Sequence, residues 1–143
     1  MIVGKPYIIS SIRKCTPSVT SFVFTAKDGT DIDFVPGMFA MLEYRDGVTG
    51  EKISRAFSIA NPPPSNNLEF LISMIHGRFT SKLDNAKVND TYYISAPYGQ
   101  FKFDLENTSK LLFFGRWNWH SSVYVNDKTN RKNKQKSRLY CTV

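Results

Sequence analysis

Cysteine and histidine are scarce in this 143-residue chain, which has two of each. Cys15 and Cys141 lack CxxC spacing, and His76 and His120 stand alone, so no metal site and no disulfide framework are expected. No apolar run is long enough for a membrane-spanning helix. The opening Met1-Ile2-Val3-Gly4-Lys5-Pro6 lacks the apolar core and cleavage site of a secretory signal, so the expected compartment is the cytoplasm. Acidic residues run out near the end. Residues 1–115 hold 12 Lys+Arg against 11 Asp+Glu, whereas residues 116–143 hold 7 against one, Asp127. Six of the seven net positive charges therefore belong to the tail, and the total says little about the rest of the chain.

What remains is the composition of one folded domain, 41% hydrophobic with 11 Phe and 7 Tyr. The pattern is of short strands. Tyr7–Arg13 and Val19–Thr25 are rich in β-branched and aromatic residues, and Asp28-Gly29 marks a turn. Pro36-Gly37 precedes a third strand, Met38–Tyr44. Ile53–Ala60 is a fourth, ended by Asn61-Pro62-Pro63-Pro64, and Leu68–Ile75 a fifth. Arg78–Asn85 is the one good helical stretch of this half, entered through Gly77. Thr91–Ser95 is a sixth strand, with a tight turn at Ala96-Pro97-Tyr98-Gly99. The fold class is mainly β: a six-stranded antiparallel Greek-key barrel with one short helix. Lys110-Leu111-Leu112-Phe113-Phe114-Gly115 then reads as a buried parallel strand, the first of an incomplete α/β nucleotide-binding domain. The expected division is 1–108 for the barrel and 109–143 for that incomplete unit and its basic tail.

Two stretches carry chemistry. Arg55-Ala56-Phe57-Ser58 sets a cation, a ring and a hydroxyl along one strand. Gly77-Arg78-Phe79-Thr80-Ser81-Lys82-Leu83 is a hydroxyl-bearing turn that opens the helix. A cation and helix-start N–H groups suit a pyrophosphate, and a ring with a hydroxyl suits an isoalloxazine. The plainer readings stand beside these. Phe57 also suits a barrel core, Ser58 a strand hydroxyl bonded to backbone, and Thr80 or Ser81 an ordinary helix cap.

These stretches resemble the R-x-[YF]-S and G-x-[hydrophobic]-[ST]-x-x-L signatures of the FAD-binding domain in the ferredoxin–NADP reductase superfamily. Phe34-Val35-Pro36-Gly37-Met38-Phe39 and Ala96-Pro97-Tyr98-Gly99-Gln100-Phe101 are similar to two more family segments, in the same order, over roughly residues 5–115. The resemblance implies FAD as cofactor. It implies that Arg55 pairs with the pyrophosphate, and that Phe57 lies against the isoalloxazine, where the family more often has Tyr. Ser58, near flavin N5, is the candidate catalytic residue. Gly77, Phe79, Thr80 and Ser81 are expected to cradle the phosphates. The fifth strand, where Leu71, Ser73 and Ile75 alternate, is expected to hold the ribityl and adenosine side through backbone groups, with Ile72 and Met74 assigned to the site.

The family's next segment is a glycine-rich nucleotide loop, whereas this chain has Gly115-Arg116-Trp117-Asn118-Trp119-His120-Ser121-Ser122-Val123. Tryptophan has one codon, TGG, and a one-nucleotide shift turns its GG into the start of a glycine codon. With allowed codons the segment re-reads as G-G-G-T-G-I-A-P. Residues 116 onward are therefore expected to begin as an out-of-frame reading of an NAD(P)-binding domain, with the frame restored near Leu139–Val143. The implied function is an FAD-dependent NAD(P)H oxidoreductase passing electrons to ferredoxin or another iron–sulfur protein, with NAD(P) held only by an intact homologue. As written, this chain is expected to be poorly active. The alternative is a non-catalytic β-barrel whose basic tail, with Trp117, Trp119 and Tyr124, binds nucleic acid. Tail deletion separates the two, because flavin binding would survive it.

Overall fold

The computed structural model describes residues 1–63 and 65–100. Six strands and one helix follow in order: β1 (Ile2–Lys14), β2 (Val19–Ala26), β3 (Phe39–Arg45), β4 (Lys52–Ser58), β5 (Asn67–Ser73), α1 (Arg78–Asp84) and β6 (Thr91–Tyr98). All pairings are antiparallel, in the order β4-β3-β6-β1-β2-β5, so the sheet curls into an open barrel with β4 and β5 at its edges. The two edge strands approach without pairing along their length. They are joined just beyond the end of β4, where Ala60 N–H donates to the Glu69 carbonyl at 2.7 Å and Glu69 N–H to Asn61 Oδ1 at 2.8 Å.

Period-two alternation builds the core. Tyr7 and Ile9, Phe22 and Phe24, Ala40 and Leu42, Leu68, Phe70 and Ile72, and Tyr92 and Ile94 all turn inward and are buried. Aromatic edges meet inside, with Phe24 5.8 Å from Phe70 and 5.5 Å from Tyr92. From Tyr92 the cluster runs through Tyr44 and Phe79 to Phe57, that is, to the gap between β4 and β5.

The expected elements are present, with altered limits. β1 starts at Ile2 rather than Tyr7, because Gly4 at φ +57 lets a bulge absorb the break opposite β6. Pro6 is tolerated because its carbonyl, and hence its missing N–H, faces the side where β2 has ended at Ala26. Ala96–Tyr98, expected as a turn, continues β6. Phe39 and Met41 stand opposite Tyr98 and Ser95, so the surplus residue on β6 is taken up as a bulge. β4 stops at Ser58 and β5 at Ser73, both short of the expected Ala60 and Ile75. After β5 the Ser73 carbonyl accepts the Ile75 N–H, and His76, at φ +49, turns the chain toward α1. Among the described residues no helix is long and apolar enough to cross a membrane. The expected strand at 110–115, the 108/109 boundary and the basic tail lie outside the described residues.

Candidate functional site

Backbone parity explains why a site opens at the β4–β5 gap. In an antiparallel strand, alternate residues point their N–H and C=O to opposite edges. Ile59 N–H donates to Met38 O, so odd-numbered β4 residues face β3 and even-numbered ones face the gap. On β5, Glu69 already bonds across the gap, so Leu71 and Ser73 direct their backbone groups the same way. Met74 donates instead to Ser18 O at 2.8 Å, on the β2 side. Below the Ala60–Glu69 tie the gap is thus flanked by backbone groups of Ala56 and Ser58 on one side and Leu71 and Ser73 on the other. Polar backbone groups of this kind need partners, and the Ser73 carbonyl already has one in the Ile75 N–H.

The gap forms a cleft of about 230 Å³, lined by β4 (Arg55–Ser58), by Leu71–Ser73 and Ile75, and by Gly77, Phe79 and Thr80 at the start of α1. Arg55 and Phe57 stand opposite Leu42 and Ala40 of β3, so both project to the inner face, toward the helix end of the barrel. Among the described residues the Arg55 side chain has no hydrogen-bond or ion-pair partner, and it is exposed. Phe57 is half-buried, 5.6 Å from Phe79 and 6.5 Å from Phe70. It is therefore a core ring that also forms part of the cleft wall. Ser58 is half-buried in the same wall.

The helix start is built locally. Thr80 Oγ1 accepts the Gly77 N–H at 2.9 Å and donates to the Gly77 carbonyl at 3.1 Å, which fixes the turn into α1. The Thr80 hydroxyl is committed to this cap, so it is the amides of the first turn that are left for a ligand. Ser81 N–H starts the helical ladder by donating to the Gly77 carbonyl at 2.8 Å. Gly77 itself has φ −76, which any residue adopts, and an added Cβ would meet only Thr80 Oγ1, at 3.6 Å.

Seven of the nine residues expected at the site lie in the cleft wall: Arg55, Phe57, Ser58, Ile72, Gly77, Phe79 and Thr80. Met74 and Ser81 do not. Met74 packs against the core with its N–H turned to β2, and Ser81 is exposed on α1. Ala56, Leu71, Ser73 and Ile75 complete the wall without having been assigned to it. The 71/73/75 alternation was the available signal, since it marks the edge opposite the pairing of Ile72 with Thr20.

A family model described as the oxidoreductase FAD-binding domain matches residues 6–103. The chain is 28% identical over 95 residues to the 2-halobenzoate 1,2-dioxygenase electron transfer component of Burkholderia cepacia, covering 65% of this chain and 27% of that one. It is 32% identical over 105 residues to a flavodoxin/ferredoxin–NADP reductase of Buchnera aphidicola subsp. Baizongia pistaciae (strain Bp), covering 72% and 42%. The flavohem-like FAD/NAD-binding domain of nitric oxide dioxygenase from Vibrio cholerae O1 biovar El Tor superposes with a TM-score of 0.65 at 22% identity, covering 71% and 46%. That last likeness concerns the fold. The chain spans between 27% and 44% of the length of the curated relatives it matches.

Proposed function

The chain belongs to the oxidoreductase FAD-binding domain family, and from that membership we propose that the β4–β5 cleft is its FAD site. The observation that carries this reading is the conjunction of an Arg55 side chain without a partner among the described residues, two facing backbone edges and an aromatic wall in one cleft. At about 230 Å³ the cleft is smaller than the ~300–1,000 Å³ of a site that encloses a whole ligand. It suits one part of a dinucleotide, the rest lying along the surface. Residues 1–108 are the unit that carries it.

Arg55 is the residue for the pyrophosphate, because its planar fork matches phosphate oxygens and nothing described competes for it. Phe57 presents an apolar face for the fused ring, held by Phe79 and Phe70. Backbone groups of Ala56, Ser58, Leu71 and Ser73 suit the ring's polar edge. Ser58, in the same wall, is the hydroxyl we assign to the reactive nitrogen. Bound FAD supplies the redox chemistry, accepting hydride and releasing electrons singly; the protein binds, orients and keeps water off one ring face.

The finer assignment is electron transfer between NAD(P)H and an acceptor such as a ferredoxin, another iron–sulfur protein or an oxygenase. The names of the reductase and dioxygenase relatives support it. The NAD(P) side belongs to a second domain whose opening strand is proposed at Lys110–Gly115, with the text from Arg116 read out of frame. Resequencing the locus tests that last point, since confirmed bases as translated would leave a genuine tail. The cofactor reading is tested by absorbance of the purified chain titrated with FAD. Arg55→Ala is expected to weaken binding about 10–100-fold, the loss of a hydrogen bond to a charged group. Equal affinity in the variant would remove Arg55 from the site.

A further inference from the structure

A charged clasp joins the helix start to the β3–β4 turn. Arg78 Nη1 donates to Glu51 Oε1 at 3.0 Å, and Nη2 to Oε2, making a two-pronged pair across 27 residues of sequence. The turn that presents Glu51 is itself fixed. Asp46 Oδ1 accepts the N–H groups of Val48 and Thr49, each at 2.9 Å, and the Glu51 carbonyl accepts the Asp46 N–H at 2.9 Å. Arg78 is flanked in sequence by Gly77 and Phe79, which line the cleft, while Arg78 is not part of the wall.

Helix electrostatics say what the clasp corrects. A seven-residue helix is marginal without tertiary ties, and its first turn favours negative charge. α1 has no acidic residue there and carries the wrong sign at its first position, Arg78. Glu51 supplies the missing carboxylate from another element. Further ties to β3 run through Tyr44, whose hydroxyl donates to the Arg78 carbonyl at 3.4 Å and whose ring lies 5.8 Å from Lys82 Nζ.

We infer that Glu51 is a positioning residue for the dinucleotide: through Arg78 it holds the start of α1 where the cleft needs it, without touching the ligand itself. The inference rests on the FAD reading of the cleft. Its sign separates it from a simple charge effect. A carboxylate near a pyrophosphate repels it, so removing Glu51 for charge reasons alone would tighten FAD binding. Removing it as a positioning residue weakens binding.

The test is a double-mutant cycle on the full chain, with FAD affinity read by flavin fluorescence. Glu51→Gln and Arg78→Lys are each expected to raise Kd about 3–10-fold, and the double variant no further than either single change. Amide hydrogen exchange on the flavin-free protein gives a second readout that does not depend on FAD. Protection across residues 81–83 should fall in Glu51→Gln, with β1 and β2 unaffected. Unchanged or tighter FAD binding, or unchanged exchange in α1, overturns the inference. If the unaltered chain binds no FAD while exchange still responds, the cofactor reading fails and the tie between Glu51 and α1 remains.

Discussion

The Tyr7 hydroxyl is buried with no hydrogen-bond partner among the described residues, and burial, with Asp28 nearby, pushes its pKa up to about 12. A buried polar group without a partner costs about 1–3 kcal/mol of desolvation. Tyr7→Phe keeps the ring and removes that cost. It is expected to leave stability unchanged or raise it by about 1 kcal/mol in urea unfolding. A loss above that size would reveal a partner for the hydroxyl. Gly77→Ala probes the cleft in the complementary way. The backbone at φ −76 accepts alanine, and the cap cost is about 0.5–1 kcal/mol, so the fold should survive. The added methyl sits on the cleft wall, so FAD affinity should fall several-fold in the same titration; equal affinity would show that no ligand passes Gly77.

At the scale of elements, the turn after β2 is tied back to β1 by Lys5 Nζ to Asp28 Oδ2 at 2.8 Å, and Asp28 Oδ1 also accepts the Thr30 N–H at 3.0 Å. The Lys5 hydrogen bond is the first cause that lowers the Asp28 pKa, from 3.8 to about 2. A depressed carboxylate stabilises the fold above its unfolded value and loses that contribution as pH falls through the folded one. Asp28→Asn should therefore lower Tm near neutral pH, and the gap to the unaltered protein should close between pH 4 and about 2. A gap that stays constant across that window would show that the charge is irrelevant. Such turns were legible in the sequence, because Asp-Gly and Pro-Gly act through local chemistry. The strand cores were legible by alternation, and the place of Arg55, Phe57 and Ser58 along one strand, now a cleft wall, by their spacing. The ends of β1 and β6 were not, because Gly4 and Pro97 suggest breaks that bulges absorb. Met74 and Ser81 fall outside the cleft wall for a related reason. Neighbours on an element share its sequence signal, but parity and ladder bonds decide which of them faces the cleft. The Glu51–Arg78 clasp was invisible, being a contact across 27 residues.

For the whole molecule, the open barrel is the source of both its weakness and its use. A sheet edge with unpaired N–H and C=O groups recruits whatever can pair with it, a foreign strand included. Here the two edges face each other, tied at one end by Ala60 and Glu69 and spread apart at the other. A ligand bridging Ala56 and Ser58 to Leu71 and Ser73 would satisfy both edges at once, so binding and folding become one problem. Ligand at a hundredfold excess over its Kd adds about 2.7 kcal/mol to stability. For a domain of roughly 100 residues that is a rise in Tm of about 10–20 °C. FAD should produce this shift in calorimetry and, in hydrogen exchange, slow the amides of Ala56, Ser58, Leu71 and Ser73 first, whereas riboflavin, which lacks the pyrophosphate, should give a smaller shift. Protection confined to α1, with the four edge amides unchanged, would mean that the cofactor is held by its phosphates alone and that the gap between β4 and β5 serves another purpose.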